Sequence, residues 1–183
     1  MKIIVLDRDG VINEDSNLYI KTADEWIPIP GSLEAIANLH IAGFLVVIAS
    51  NQSGLGRQLF DEYALANIHY KLCSMVEDAG GLVDGIFYCP HQPEDNCLCR
   101  KPATGLLEQI EQEYACSLHG CYLVGDSYKD IQAAQSFGLN PILVRTGNGT
   151  RTEQELVSKG SATIPVFDDL ASAVNELILP ANA

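Results

Sequence analysis

The stretch Lys2-Ile3-Ile4-Val5-Leu6-Asp7-Arg8-Asp9-Gly10-Val11 reads as a short apolar strand that ends abruptly in two carboxylates. Working outward, the same pattern recurs. Phe44–Ala49 is a second continuous apolar run, ending at Ser50-Asn51. Gly85–Tyr88, Cys121–Val124, Pro141–Val144 and Thr163–Val166 are further short strand candidates. Between them lie segments with helical periodicity: Ser32–Ala42, Asp61–Ala79, Gly105–Tyr114, Tyr128–Phe137, Thr152–Ser158 and Leu170–Leu179. Ser32 and Asp61 are expected as helix N-caps; Gly43, Gly80-Gly81 and Gly138 are expected as stops. Pro180–Ala183 is expected to be a frayed tail.

Strands alternating with helices predict βαβ units: an α/β, Rossmann-like three-layer sandwich with a mostly parallel sheet covered on both faces. In such sheets ligands bind outside the carboxyl ends of the strands. The residues that follow the strands therefore matter most: Asp7–Asp9, Ser50-Asn51, Cys89–Lys101 and Asp126.

At 183 residues the expectation is a single domain spanning 1–183. Forty-seven per cent hydrophobic and 19% charged residues fit an ordinary globular chain. No apolar run reaches the length of a membrane span, and the run after Met1 is too short for a signal peptide, so a cytoplasmic protein is expected. The net charge of −13 and pI of about 4.5 argue against nucleic-acid or anionic-membrane partners, while leaving room for a small anion in one local basic pocket. A monomer is expected.

Each strand end carries a candidate group. Asp7 and Asp9, two residues apart, offer a nucleophile and an acid/base, and could hold a divalent cation. An EF-hand is excluded, because Gly10 is fourth from Asp7 where that loop needs its glycine sixth. Ser50 offers a hydroxyl for a phosphoryl oxygen, Arg100-Lys101-Pro102 offers two cations, and Asp126 is either a metal ligand or a helix N-cap. Asp130 could support the site through Lys129 or Lys101. Together these groups form the set that phosphoryl transfer needs, because the phosphate's charge must be neutralised before a carboxylate can attack it.

On these four segments the chain resembles the haloacid dehalogenase superfamily of phosphatases. The resemblance implies Asp7 as nucleophile, Asp9 as general acid and then base, and Ser50 and Lys101 on the phosphoryl group. It implies Mg²⁺ held by Asp7, the Asp9 carbonyl and Asp126. Position 127 is Ser127, where an Asp-Asp pair is commoner.

Three of the six cysteines crowd between Cys89 and Cys99. Cys89, His91, Cys97 and Cys99 make a three-sulfur, one-imidazole set for structural zinc, with no coordination position left open. Cys73, Cys116 and Cys121 are expected as small buried residues. The intervals Asp7–Ser50 and Ser50–Lys101 leave no room for a large cap domain, so the loop Asp15–Trp26 and the zinc loop must shape the pocket.

A zinc loop running straight into Cys-Arg-Lys-Pro, together with Asn51-Gln52-Ser53-Gly54, is similar to the family of heptose-bisphosphate 7-phosphatases. That resemblance implies a sugar-phosphate substrate and a role in making the heptose of lipopolysaccharide or a related activated heptose. Asp15, Asn51, Gln52 and Ser53 are its expected substrate contacts, with Arg57 and Arg100 reading a second anionic group. Two alternatives stay open: a histidinol-phosphate phosphatase, which shares the zinc loop, and an inactive zinc-stabilised binding domain.

Overall fold

The computed structural model describes residues 2–160 and 163–182. Within them six strands form one sheet, all neighbours parallel: β1 (Lys2–Leu6), β2 (Phe44–Asn51), β3 (Gly85–Cys89), β4 (Tyr122–Gly125), β5 (Asn140–Val144) and β6 (Val166–Phe167). The spatial order is β3-β2-β1-β4-β5-β6. The chain works outward to β3, then returns to place β4 on the other side of β1. The switch point of the topology therefore falls between β1 and β4, and there Leu6 pairs with Val124.

The helices are α1 (Ser32–Ile41), a single turn α2 (Ser53–Gly56), α3 (Glu62–Asp78), α4 (Gly105–Tyr114), α5 (Tyr128–Phe137), α6 (Gly149–Ser158) and α7 (Leu170–Ala173). Both sheet faces are covered, so successive residues of a strand are buried on opposite sides. Ile4, Leu6, Val46 and Ile48 pack with Ile36 and Leu39 of α1, Ile68 and Leu72 of α3, and Leu170 of α7. Ile3, Val5, Val47 and Ala49 pack with Leu106, Leu107 and Ile110 of α4 and Ala133 and Ala134 of α5. A smaller cluster of Ile131, Leu143, Leu156 and Ile164 seats α6. Each fully buried Ile or Leu contributes roughly 1.5–3 kcal/mol, so these two layers are what hold the strand ends in register.

Some expectations require correction. Gly31, in a left-handed conformation, is the N-cap of α1; the Ser32 hydroxyl instead donates to the Ile12 carbonyl at 2.7 Å, tying the loop after β1 to the helix. Asp61 does cap α3, accepting from the Ala64 amide. The last strand is Val166–Phe167, not Thr163–Val166. Pro165 has no N–H to give the sheet, and only its carbonyl joins, accepting from the Leu143 amide. The helix expected over Leu170–Leu179 is α for one turn and then a π-turn over Val174–Ile178, with the Leu179 amide reaching the Val174 carbonyl. Pro180–Asn182 forms a 3₁₀ turn where a frayed tail was expected, and Ala183 lies outside the described residues. Cys73, Cys116 and Cys121 are half-buried at the core margins.

The interval from Asp7 to Ser50 holds one loop and α1. The interval from Ser50 to Lys101 holds α2, α3, β3 and the cysteine loop with its 3₁₀ turn at Pro93–Asp95. No helix among the described residues is long and apolar enough to cross a membrane.

Candidate active site

The carboxyl ends of β1, β2 and β4 open into one cleft of about 420 Å³, lined by Asp7, Asp9, Ser50, Arg100, Lys101 and Asp126 among others. Asp7 follows directly from β1, its amide donating to the Val124 carbonyl of β4 at 2.9 Å. The chain then turns sharply: the Arg8 carbonyl accepts from the amides of Ile12 and Asn13, and the Gly10 amide donates to Asn13. Gly10 has φ +82°, and Gly147, in the loop after β5, has φ +56°. Both backbones press against the Asp126 carboxylate, and a Cβ at either would collide with it. The Thr146 hydroxyl closes this cradle by donating to the Gly10 carbonyl at 2.6 Å.

Lys101 is the hub. It is buried, and its Nζ lies 3.0 Å from Asp7 Oδ1 and 2.5 Å from Asp130 Oδ1, and donates to the Ala49 carbonyl at 2.6 Å. Burial opposes its charge, but Asp130 and Asp7 outweigh burial and hold the ammonium well above its usual range. For Asp7 the balance runs the other way. Burial raises its pKa, Lys101 opposes, and Asp130, Asp126 and Asp9 add to the rise. Asp126 is pushed up to about 7 by burial and Asp130, against the Asn148 hydrogen bonds that favour its charge. Oxygens of Asp7, Asp126 and Asp130 lie within 4.8 Å of one another. Hard carboxylate oxygens, crowded and reluctant to ionise together, are a donor set that fits a divalent cation such as Mg²⁺.

Asp130 pairs with Lys101, one of its two expected partners, and also joins Ser127 in a capping box at the start of α5. Its Oδ2 accepts from the Ser127 hydroxyl at 2.6 Å and the Ser127 amide at 3.1 Å. The helix cap is thus Ser127, which leaves Asp126 free to face the cleft.

Asp9 sits in a different field. Arg8, wholly buried, donates Nη2 to both its oxygens at 2.9 Å and Nε to Oδ1 at 3.1 Å. Asn13 and Gln52 add hydrogen bonds at 2.9 Å each. Burial raises the pKa of Asp9, but Arg8, Asn13 and Gln52 prevail and hold it below the usual carboxylate range. The surroundings thus push the two carboxylates of the first motif apart in acidity: Asp9 is held toward its ionised form, and Asp7 toward its protonated form until a cation offsets the crowding of Asp126 and Asp130.

The expected substrate contacts divide. Asp15, Arg100, Asn51 and Gln52 line the cleft. The Asn51 side chain is engaged with the Lys101 backbone, and Gln52 spans Asp9, Ser50 and Arg8, so both brace the site from within. Ser53 begins α2 and does not line the cleft. Arg57 also lies outside it, 3.8 Å from Glu94 of the cysteine loop. The reason is local: α2 carries the chain away from the strand ends after Gln52. In its place the cleft takes in Lys129 and Arg151, neither forming an ion pair among the described residues.

Arg8, Asn13, Asn148 and Arg151 were not anticipated. Asn148 had a weaker signal, since it lies in the loop after β5, a further strand end of the same sheet, and its amide and side chain hold Asp126 Oδ2 at 2.7 and 3.2 Å. Arg8 had another: an arginine between two aspartates at the end of a buried strand must find a partner.

The cysteine loop closes on itself. Cys89, at the end of β3, lies 3.6 Å from Cys97 and 3.3 Å from Cys99, sulfur to sulfur; Cys97 and Cys99 are 3.5 Å apart. His91 Nδ1 is 3.6 Å from Cys89 and 3.3 Å from Cys99. A tetrahedron with Zn–S bonds of about 2.3 Å has edges of about 3.8 Å, so the four groups suit one zinc ion. The loop then delivers Arg100 and Lys101 to the cleft, with Arg100 Nη1 donating to the His91 carbonyl at 3.3 Å.

Comparison with known proteins agrees with this geometry. A HAD-hydrolase-like family model matches residues 98–173. The D-glycero-beta-D-manno-heptose-1,7-bisphosphate 7-phosphatase of Pseudomonas putida is 48% identical over 97% of this chain and all of that protein. The crystal structure of D,D-heptose 1,7-bisphosphate phosphatase from B. bronchiseptica, complexed with magnesium and phosphate, superposes with a TM-score of 0.92 at 47% identity, covering 98% of this chain and 99% of that one. The histidine biosynthesis bifunctional protein of Legionella pneumophila is 38% identical over 76% of this chain, which spans only 40% of that protein. The six-stranded parallel sheet, its carboxylate-lined cleft and these full-length likenesses place the chain in the D-glycero-beta-D-manno-heptose-1,7-bisphosphate 7-phosphatase family of the HAD-like hydrolases.

Proposed function

We propose that this chain hydrolyses the 7-phosphate of D-glycero-β-D-manno-heptose 1,7-bisphosphate through an aspartyl-phosphate on Asp7. The observation that carries the reading is the position of Lys101 between Asp7 and Asp130, two carboxylates that cluster with Asp126 at the switch point of the sheet. Family membership supports the substrate, and the shorter overlap with the histidine-pathway protein gives the histidinol-phosphate alternative no support.

Asp7 attacks the phosphorus, and Lys101 opposes the rise in its pKa while offsetting phosphoryl charge. Ser50 faces the phosphoryl oxygens. Asp9, held ionised in the free site, takes up a proton as the phosphate dianion enters beside it, gives that proton to the departing sugar oxygen and later takes one from the water that cleaves the acyl phosphate. Asp7, the Asp9 carbonyl and Asp126 would hold Mg²⁺, which would supply further neutralisation of the phosphoryl group. The second phosphate lies toward Arg100, Lys129 and Arg151, cations of the same cleft. Zinc on Cys89, His91, Cys97 and Cys99 is structural, fixing the loop that ends in Lys101. The working form is a monomeric, single-domain cytoplasmic enzyme of activated-heptose synthesis; its charge of −13 disfavours nucleic-acid partners.

The test is product analysis by phosphorus NMR, with heptose bisphosphate and histidinol phosphate assayed side by side. The reading expects release of the 7-phosphate alone and a clear preference for the bisphosphate. A preference for histidinol phosphate would overturn the substrate.

A further inference from the structure

His69 lies on α3, far in sequence from every segment that lines the cleft. Its Nε2 is 3.4 Å from Arg8 Nη1, and it is the partner the structure gives to that corner of the guanidinium. The other corners are committed: Nε and Nη2 go to Asp9, and Nη2 also donates to Gln52 Oε1 at 3.1 Å. Because a guanidinium is planar and rigid, an acceptor at Nη1 fixes the plane in which Nε and Nη2 meet Asp9. Arg8 can only donate, so His69 must present a bare Nε2 and carry its proton on Nδ1. The ring itself is held edge-on to Tyr88 of β3, centroids 5.8 Å apart. A line of contacts thus runs from Tyr88 through His69 and Arg8 to Asp9, whose side chain is 21% exposed and lines the cleft.

We infer that His69 is a positioning residue for the proton transfers of Asp9, acting through the plane of the Arg8 guanidinium; the inference deepens the phosphatase reading above and rests on it. A positioned general acid contributes on the order of 10²–10⁴ in rate, and loss of one support forfeits part of that. The part lost depends on the leaving group. A sugar alkoxide needs a proton as it departs; p-nitrophenolate does not.

The experiment compares kcat/KM, which reports phosphoryl transfer to Asp7, for heptose bisphosphate and p-nitrophenyl phosphate. His69→Phe keeps a ring against Tyr88 but offers no acceptor; His69→Gln keeps an acceptor. The expected result is a loss of about tenfold on the bisphosphate with His69→Phe, carried by kcat and not KM, about twofold or less on the aryl phosphate, and substantial recovery with His69→Gln. Melting curves establish that the variants are folded, and His69→Leu replaces His69→Phe if the latter is not. Equal losses on both substrates, no loss on either, or no recovery with His69→Gln overturns the inference while leaving the phosphatase reading intact. A wild-type protein inactive on both substrates overturns the reading and this inference with it.

Discussion

Asn51 and Lys101 hold each other by two reciprocal hydrogen bonds: Asn51 Nδ2 donates to the Lys101 carbonyl, and the Lys101 amide donates to Asn51 Oδ1, both at 3.0 Å. The end of β2 thereby fixes the backbone of the residue whose ammonium serves Asp7. Asn51→Ala removes both bonds, each worth about 1 kcal/mol. It should lower kcat/KM by roughly tenfold or more, equally for mono- and bisphosphates, since Lys101 serves the reacting phosphate. Steady-state kinetics on both substrates checks this; a loss confined to the bisphosphate would show that Asn51 contacts substrate.

Arg151 and Arg57 make opposite predictions. Arg151 lines the cleft without an ion pair among the described residues, whereas Arg57 lies outside it near Glu94. Arg151→Ala should reduce kcat/KM for the bisphosphate by about tenfold, the scale of one charge-assisted contact, and change a simple monophosphate much less. Arg57→Ala should leave both within about twofold. Reversal of the two variants would move the second phosphate to the α2 side of the cleft.

The cysteine cluster predicts one tightly held zinc per chain by elemental analysis. Cys97→Ser should lower the melting temperature and reduce turnover as Lys101 loses its anchorage, because binding energy at a structural zinc is folding energy. Protein stripped of zinc that melts and turns over like the native form would refute the assignment.

The pH dependence of magnesium binding follows from Asp126 and Asp7. Their carboxyls are raised in the folded protein, Asp126 to about 7, against about 3.9 when unfolded. Between those values the metal-free native state binds more protons than the unfolded one, so these groups withdraw stability as pH rises through that window. Magnesium must displace the same protons. The rise in melting temperature that it causes should be small at pH 5, grow through pH 7 and level off above. His69, lowered to about 4 chiefly by burial, acts in the opposite sense, but it cancels between matched samples with and without metal. A shift independent of pH would place the metal elsewhere.

Much of this was legible in the sequence because it lies on strand ends. The apolar runs at β1, β2 and β4 each stop at the residue that enters the cleft, and a parallel sheet gathers such stops at one edge. Legibility failed where position depends on the path of a loop. Arg57 belongs to the chain that α2 turns aside, and nothing in Gly54-Leu55-Gly56-Arg57 sets that direction. Gln52 and Asn51 line the cleft, and their amides also serve Asp9 and the Lys101 backbone, a bracing role set by three-dimensional neighbours that the sequence does not display. Arg151 rides on α6, whose start at Gly149 precedes the periodic segment that announced it. His69 reads as an ordinary residue on an amphipathic helix, and only the packing of α3 on the sheet face that carries Ile4, Leu6, Val46 and Ile48 brings it to Arg8.

The central claim is that Asp7 carries the phosphoryl group, and chemical trapping tests it most directly. The enzyme is mixed with heptose bisphosphate, quenched during turnover and reduced with borohydride, which converts an acyl phosphate to an alcohol. Peptide mapping should then find homoserine at position 7 and aspartate unchanged at positions 9, 126 and 130. An intact Asp7 in enzyme trapped while turning over substrate, with full activity retained by a folded Asp7→Asn protein, would contradict the account.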